Sequence, residues 1–409
     1  MNLVFRLAWR NLWRHPKRTW LTTGAMMFSN VLLVFMISLQ FGMYDLMIDN
    51  TLQSFTGHMQ VQAPGYKDDQ KMRQSVADIV PLAQSLRAEL GSDKVAARGS
   101  AFALVSSEER SYGIAVIGVE PAYEPNVSTI PGLLAKGRYL GDETAAEIVI
   151  GASLARNLRV GLGDELTLLG SGRDGSFAAA VVDVVGIFDS GLAEFDRSIA
   201  EIPLTFFQDV FYMQGAGHQV VINSPIIDDV PALQSRVSML LPAGRDLVLH
   251  DWDALQPGLR QAIRADMSSA FFMYGILVIL VAFSVLNTQL MSVLERTHEF
   301  GIVMALGLTP GRLGRLVLLE TAIMGALGLL IGALLGALFT FYFSVNGFSY
   351  PGMEEMAAKF NLPARFFPQL SALTLLSGPL VVFLFTILSA LYPALRLHRL
   401  HPVEAMRAM

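Results

Sequence analysis

Four long apolar segments constrain the fold of this chain more than any other feature of its sequence. They cover residues 20–44, 270–293, 317–345 and 370–395. A helix rises 1.5 Å per residue, so about 20 apolar residues cross the roughly 30 Å hydrocarbon core of a bilayer. Only 16% of all residues are charged, against about 25% in ordinary soluble domains. We therefore predict a membrane protein with four transmembrane α-helices.

The first apolar segment, residues 20–44, has a competing interpretation as a cleaved signal peptide. It is longer than the usual apolar core of such a peptide, and no pair of small residues with cleavage-site spacing follows it immediately. We therefore expect this segment to be retained as the first transmembrane helix.

The long section between the first and second helices, residues 45–267, contains no apolar segment of spanning length. Helical patterns over Val80–Leu90 and Leu233–Leu240 alternate with strand patterns, which predicts an α+β domain with local hairpins rather than regular βαβ units. Its length allows one domain or two subdomains. One hairpin is predicted with its tip at Ser171–Gly175. The predicted strands are His58–Gln62, Ile114–Val119, Glu147–Ile150, Leu166–Leu169, Val181–Ile187 and Gln219–Ile222.

The distribution of basic residues predicts the orientation of the chain. Eleven of its 30 lysines and arginines fall in residues 1–19, residues 294–315 and the tail, residues 396–409. Loops rich in lysine and arginine stay in the cytoplasm. We therefore expect both termini to lie in the cytoplasm. The domain at 45–267 and the short loop at 346–368 are then extracytoplasmic.

The N-terminal stretch, residues 1–19, is basic and carries no acidic residue. Trp9 and Trp13 lie one helical turn apart, beside a parallel row of arginines. This pattern predicts an amphipathic helix that lies on an anionic membrane surface. A simple positive flank that fixes topology is the alternative. The arginines of the row are Arg6, Arg10 and Arg14.

The stretch between the second and third helices, residues 294–311, is named here the coupling segment. A charged start is followed by apolar residues at helical spacing, and Gly307–Gly311 breaks the pattern. We predict a short amphipathic helix held against the membrane face, where a soluble protein can push on it. The charged residues are Glu295, Arg296, His298 and Glu299, and the apolar stripe is Phe300, Val303, Met304 and Leu306.

Three glycines of the third helix, Gly328, Gly332 and Gly336, recur every four residues. Glycine at this spacing lets a second helix approach closely in lipid, so it predicts a packing face. The partner helix is in the same chain or in a second protomer. Glu320 lies one turn inside the same helix, near enough to its end to reach the interface.

Several function classes are disfavoured by what the sequence lacks. The cores of the first, second and fourth helices contain no titratable group, which counts against ion-coupled transport. The seven histidines form no ligand cluster, His398 and His401 in the tail included, and there is no cysteine, so we expect no metal site. Neither a phosphate-binding loop nor a nucleophile elbow occurs. We expect no catalytic residue, so the chain by itself is not an enzyme.

The sequence resembles a known family. The run ERTHEFGIVMALGLTPGRLGRLVLLETAIMGALGLLIGALLG looks like the coupling-helix signature of the FtsX/MacB/LolC-LolE permeases of ATP-binding cassette (ABC) systems. The start LAWRNLWRHPKRTWLT and the tail YPALRLHRLHPVEAMR are similar to the ends of that family. VIGVEP, KGRYL, EIVIGASLARNLRVGLGDELTLL and VVGIF resemble its MacB-type periplasmic core domain. The matching signature positions are Glu295, Arg296, Thr297, Glu299, Gly301, Ala305, Leu306, Gly307 and Glu320, and the departures are His298 and Phe300.

This resemblance implies a permease subunit of the mechanotransmission type. Such a subunit pairs with a second protomer, identical or related, and rests on a dimer of cytosolic ABC ATPase subunits. ATP and Mg²⁺ are bound by that separate chain, so no cofactor is expected here. The matching positions of the coupling segment are then the ATPase-coupling residues, and motion passes through the first two helices to the extracytoplasmic domain.

The length of the chain favours a LolC/LolE-like permease that releases lipoproteins from the inner membrane. The hairpin tip at Ser171–Gly175 is short, which argues against direct capture of a periplasmic carrier. The alternatives are a MacB-like exporter permease that works with a periplasmic adaptor, a non-transport scaffold or regulator of envelope enzymes, and a membrane-anchored envelope enzyme. Only the permease interpretation explains a charged, amphipathic coupling segment.

Overall fold

The computed structural model describes residues 3–14, 16–224, 229–242, 244–353 and 365–397. Two compact units are present. The helical unit contains the described residues up to Tyr44, those from Ala262 to Tyr350, and those from Arg365 onward. The second unit, named here the sheet domain, contains Asp45–Gln261.

The helices follow the apolar and amphipathic patterns of the sequence. In chain order they are α1 Leu3–Leu12, α2 Pro16–Thr51, α3 Tyr66–Asp69, α4 Ile79–Leu90, α5 Ala152–Leu158, α6 Phe195–Ser198, α7 Leu204–Val210, α8 Val230–Leu240, α9 Trp252–Leu255, α10 Pro257–Glu295, α11 Thr297–Ala305, α12 Pro310–Asn346 and α13 Ala372–Arg396. A π-helical turn, Leu52–Thr56, continues α2. Short 3₁₀ turns occur at Glu124–Asn126 and Ile130–Leu133.

Within the described parts of the chain, four helices are long and apolar enough to cross a membrane: α2, α10, α12 and α13. Helices α2 and α10 extend well beyond the apolar segments of the sequence. Helix α10 begins at Pro257, whereas the apolar segment begins at residue 270. The extra turns are polar, and a hydropathy criterion does not register a helix that continues into water.

The stretch at residues 1–19 is not one helix. Helix α1 ends at Leu12, a turn contains Trp13 and Arg14, and α2 begins at Pro16. Proline favours the first turn of a helix, where its missing N–H has no helical acceptor, and its ring excludes a preceding helical turn. Pro16 therefore separates the two helices.

The sheet domain contains ten strands among the residues that the structure describes. They are β1 Met59–Gln62, β2 Val95–Ser106, β3 Ser111–Val119, β4 Leu134–Gly137, β5 Glu147–Gly151, β6 Glu165–Ser171, β7 Phe177–Phe188, β8 Ile199–Pro203, β9 Gln219–Ile222 and β10 Val248–Asp251. The pairings β2–β3–β8–β5–β7–β6–β2 close on themselves. Strands β9, β1 and β10 extend the sheet from β2. An α+β domain is present, as predicted.

Two strand pairs depart from the predicted pattern of local hairpins. Strand β3 is parallel to β8, and β5 is parallel to β7, so the chain crosses the domain between them. The predicted hairpin does form: β6 and β7 are antiparallel, and Ser171 is opposite Phe177. Side chains on the inner face of these strands, among them Leu166, Leu168, Val182 and Val184, are buried in one apolar core.

Strand β2, one of the two longest strands, was absent from the sequence-based prediction, because its small residues have low strand propensity. The structure explains the small residues. The ring of Phe207 on α7 lies over Gly99 of β2 and Gly118 of β3, where a Cβ atom would come within 2.3 Å and 2.5 Å of Phe207. Tertiary packing therefore overrides local propensity. Strands β4, β8 and β10 were missed as well.

Some predicted features lie outside the described residues. These are the tail from residue 398 onward, with His398 and His401, and residues 354–364 of the predicted loop at 346–368.

Candidate functional site

Charged and polar side chains from five helices meet at one end of the helical unit. They come from α1 and the turn after it, the start of α2, the end of α10, the start of α11 and the first turns of α12. This set is named here the charged junction. Its members are Asn11, Arg14, Arg18, Ser292, Glu295, Arg296, Glu299 and Glu320.

Glu320 forms the centre of the charged junction. Its side chain is only 8% exposed, and Arg296, at 12%, places Nη1 3.0 Å from Glu320 Oε2. Asn11 Nδ2 donates to Glu320 Oε1 at 2.7 Å. Removing one partner of a buried ion pair leaves an uncompensated charge and costs several kcal/mol, about 3–5 in measured cases. Glu320 therefore ties α1, α12 and the start of the coupling segment together.

Two further ion pairs, both more exposed than the pair of Arg296 and Glu320, surround this centre. Arg14 approaches Glu299 to 2.8 Å, and Arg18 approaches Glu295 to 3.1 Å. Arg18 also donates to Ser292 Oγ at 2.7 Å. Exposed pairs contribute only about 0–1 kcal/mol to stability. Their importance is geometric, because they connect the turn between α1 and α2 to both ends of the α10–α11 corner.

Helix α11 has an inner and an outer side. Phe300 and Met304 are buried against Leu313 and Val317 of α12, and Gly301 is buried as well. Thr297 Oγ1 donates to the carbonyl oxygen of Val293 at 3.0 Å.

Leu306, a member of the apolar stripe, is not buried with Phe300 and Met304. Helix α11 ends at Ala305, and Gly307, at a φ of +99°, turns the chain away. Leu306 is consequently 83% exposed, beside exposed Ile302 and Ala305. The outer side of the coupling segment is therefore an uncovered apolar surface.

The three spaced glycines of α12 pack against α2 of the same chain. A Cβ atom on Gly328 would lie 2.9 Å from Met26 Cβ. On Gly332 it would lie 2.6 Å from Asn30 Cβ, and on Gly336 3.0 Å from Val34 Cβ. Such contacts leave no room for a side chain. Asn30 Nδ2 also donates to the carbonyl oxygen of Gly328 at 3.1 Å, which adds a hydrogen bond to this packing.

The predicted membrane-surface residues divide into two groups. Trp9 and Trp13 stack edge to face at 6.1 Å, and Trp20 extends the stack at 6.3 Å; all three are exposed. Arg6 and Arg10 are exposed too, but Arg14 pairs with Glu299. A role at the membrane surface stays a prediction for Trp9, Trp13, Arg6 and Arg10, while Arg14 contacts the coupling segment.

The sheet domain contains a buried ionic cluster of its own. Arg98 on β2 forms an ion pair with Glu124, and both side chains are fully buried. Glu201 on β8 accepts a hydrogen bond from the Tyr139 hydroxyl at 2.6 Å. Burial, followed by the negative charge of Glu124, raises the pKa of Glu201 to about 8. Glu201 is therefore largely protonated at neutral pH.

An apolar sheet face is exposed on the outside of the strand ring. Phe102 and Leu104 on β2 alternate with buried neighbours, as do Phe177 and Val181 on β7. Phe102 is 78% exposed and Phe177 71%. Contiguous apolar surface of this kind marks interaction sites.

Two family models match the chain. The FtsX-like permease C-terminal model matches residues 271–402, which include the coupling segment. The MacB-like periplasmic core domain model matches residues 19–240, more than half of the chain. The chain belongs to the FtsX/MacB family of ABC transporter permeases. In this permease the core domain is the sheet domain, and the charged junction lies within the FtsX-like part and the helices that pack on it.

Relatives of the permease include lipoprotein-releasing system proteins and a macrolide export protein. The permease is 23% identical to the lipoprotein-releasing system transmembrane protein LolC of Xylella fastidiosa (strain 9a5c), over 73% of this chain and 74% of that protein. It is 25% identical to LolE of Haemophilus influenzae, over 74% of each chain. It is also 25% identical to the macrolide export ATP-binding/permease protein MacB of Sodalis glossinidius, over 73% of this chain and 44% of that protein.

Sequence reasoning missed three members of the charged junction. Asn11 and Ser292 were not singled out, and Arg18 was counted only as one of several positive charges. Asn11 follows Ala8 by three residues, and Ala8 and Leu12 are buried. An amide on the buried side of an amphipathic helix was therefore the available signal for Asn11.

Proposed function

We propose that this permease converts ATP hydrolysis by a separate cytosolic ATPase into mechanical work outside the membrane. The orientation is that predicted from the basic residues, with both termini and the coupling segment in the cytoplasm of a bacterial inner membrane and the sheet domain outside. ATP and Mg²⁺ bind to the ATPase subunit. Two permease protomers, identical or related, complete the transporter.

The two-sided coupling segment is the observation that carries this proposal. Its inner side is fixed to α12 by Phe300 and Met304 and to the charged junction by Arg296 and Glu299. Its outer side is exposed and apolar and is formed by Ile302, Ala305, Leu306 and Gly307. Force that a partner applies to the outer side therefore reaches the ends of α1, α2, α10 and α12 directly.

Lipoprotein release is the function that we favour. The alignments with LolC of Xylella fastidiosa and LolE of Haemophilus influenzae cover about three quarters of this chain and about three quarters of each relative. The apolar sheet face gives the extracytoplasmic domain a surface for an apolar partner. MacB-like export with a periplasmic adaptor is the second candidate, supported by the match to the periplasmic core domain model.

Affinity purification of the tagged chain in mild detergent, with mass spectrometry of its associated chains, tests the coupling proposal. We expect an ABC ATPase subunit at near one-to-one stoichiometry. Leu306→Asp places a charge on the exposed apolar surface and should abolish this association. Leu162→Asp is the matched control, because Leu162 is an exposed leucine of the sheet domain, and it should retain the ATPase. If both variants retain the ATPase, or if both lose it, the assigned surface is wrong.

The cargo is tested by reconstituting the purified complex in proteoliposomes. ATP-dependent transfer of a fluorescent triacylated lipoprotein from the proteoliposomes to an added soluble protein that binds acyl chains supports release. ATP-dependent efflux of a macrolide in the presence of an adaptor, without lipoprotein transfer, supports the second candidate instead.

A further inference from the structure

A polar cluster joins α2 and α10 at the opposite end of these helices from the charged junction. The Tyr44 hydroxyl donates to Asp266 Oδ2 at 2.6 Å. Gln40 Nε2 donates to the Tyr44 hydroxyl at 2.7 Å and lies 3.2 Å from Asp266 Oδ2. The Tyr274 hydroxyl donates to Gln40 Oε1 at 2.8 Å. These four side chains are named here the Tyr44–Asp266 clasp.

The clasp and the charged junction are in register on the two antiparallel helices. On α2, 26 residues separate Arg18 from Tyr44, and on α10, 26 residues separate Asp266 from Ser292. At 1.5 Å per residue each separation is about 39 Å, longer than the roughly 30 Å hydrocarbon core. No charged residue lies between these positions on either helix. Polar contacts therefore fasten both helices at the two boundaries of the uncharged region.

The region between the two fastenings is an apolar seam. Leu33 and Ile37 of α2 pack with Val278, Val281 and Val285 of α10 in one buried cluster. Apolar contacts are non-directional, and lipid offers side chains similar contacts in a membrane. A charge-assisted hydrogen bond is directional and stronger than a neutral one. The clasp therefore adds directional resistance to axial sliding at the end of the seam that the charged junction does not reach.

We propose that Tyr44 and Asp266 are positioning residues for coupling, which make α2 and α10 move as one rigid pair. This inference rests on the proposed function, in which motion of the charged junction travels along these helices. With the clasp intact, a displacement at the α10–α11 corner arrives undiminished at the far ends of both helices. Without it, polar contacts at the charged junction still hold α2 and α10 together, but their far ends can shift against each other and part of the displacement is lost.

The first test measures coupling in proteoliposomes that contain the permease and its ATPase. Asp266→Ala should keep ATP hydrolysis and reduce the lipoprotein released per ATP by about fivefold or more, the lower range of coupling between distant sites. Asp266→Asn, whose amide oxygen still accepts from Tyr44, should retain more. The matched control is Arg264→Ala, an exposed charged residue two positions away on α10. Release per ATP at the wild-type value in Asp266→Ala overturns the inference.

A second test does not depend on the cargo. The chain has no cysteine, so cysteines introduced at exposed Met43 and Ala265 can be spin-labelled selectively in the purified full chain before its ATPase is added. We expect one narrow distance distribution, unchanged between the apo and ATP-trapped states. In Asp266→Ala the distribution should broaden or shift by several ångströms. If Asp266→Ala gives the same narrow and unchanged distance distributions as the wild type, the inference about the clasp is wrong. If the wild type releases no lipoprotein, only the proposed cargo is contradicted.

Discussion

Two buried glutamates show how surroundings decide what a carboxyl group does in this chain. Glu320 of the charged junction has Arg296 at 3.0 Å and the Asn11 amide at 2.7 Å. Glu201 of the sheet domain accepts one hydrogen bond, from Tyr139, and its Oε1 is buried without a hydrogen-bond partner. Burial disfavours the charged form of a carboxyl group, and at Glu201 it outweighs the opposing positive charge of Arg98. Glu320 therefore joins α1, α12 and the coupling segment through an ion pair and a hydrogen bond, whereas Glu201 is largely neutral at pH 7.

Glu201 makes the stability of the sheet domain depend on pH. Its folded-state pKa, about 8, exceeds the usual value of 4.5. The stability that its proton contributes is therefore complete below about pH 4.5 and is lost as the pH rises towards 8. We expect the free energy of unfolding to fall between pH 7 and 8, by up to about 1.4 kcal/mol per pH unit from this group. Glu201→Gln should remove this slope and be the more stable protein at pH 8.

Fluorescence of Trp252, which packs against the sheet-domain core, reports this unfolding in the full chain once Trp9, Trp13 and Trp20 are replaced by Phe. Burial lowers the pKa of His218 to about 4. The stability that His218 contributes is present above pH 6.5 and lost as the pH falls towards 4, so it does not act in the window from pH 7 to 8. The same slope in wild type and Glu201→Gln contradicts the assignment.

At the scale of elements, the close approach of α2 and α12 depends on glycine. Gly332 has the least room of the three spaced glycines, because a Cβ atom there would lie 2.6 Å from Asn30 Cβ and 3.0 Å from the Met27 carbonyl oxygen. Overpacking of this kind costs about 1–3 kcal/mol. We expect Gly332→Leu to lower the thermal unfolding temperature in detergent clearly, and Gly332→Ala to lower it less.

Gly275 of α10 offers a matched control for this prediction. A Cβ atom at Gly275 meets nothing within 4 Å, so Gly275→Leu changes helix propensity and apolarity in the same way without steric conflict. Its unfolding temperature should equal or exceed that of the wild type. If Gly332→Leu is as stable as Gly275→Leu, the two helices do not depend on this contact.

The whole molecule can be tested through the contact between Arg14 and Glu299. We expect Glu299→Lys to uncouple ATP hydrolysis from release, because it repels Arg14 and separates the α1–α2 turn from the coupling segment. Stability should change little, since exposed pairs contribute about 0–1 kcal/mol. The charge-swapped double variant Arg14→Glu with Glu299→Lys should recover release per ATP. A double variant that stays uncoupled would contradict the assignment to Arg14 and leave the ATPase or Arg296, whose Nε lies 3.7 Å from Glu299 Oε2, as the partner through which Glu299 acts.

Much of this architecture was predictable because it depends on local sequence patterns. The apolar segments, the β6–β7 hairpin and the end of α11 just before Gly307 each depend on residues that are neighbours in the chain. The spaced glycines predicted a packing face for the same reason. Side chains repeat about every 3.6 residues in a helix and every two residues in a strand, and these periods do not depend on the rest of the molecule.

Only the tertiary structure decided which side chains meet. Asn11 contacts Glu320, Arg18 contacts Ser292, and Tyr44 contacts Asp266, each pair separated by more than 200 residues. Strand β2 likewise forms from residues of low strand propensity, because Phe207 fills the space above Gly99. Such contacts depend on the relative orientation of helix faces and strand edges. A local sequence pattern does not predict that orientation. The sequence by itself therefore determined the long apolar helices and the coupling segment, and the tertiary structure decided which side chains connect them.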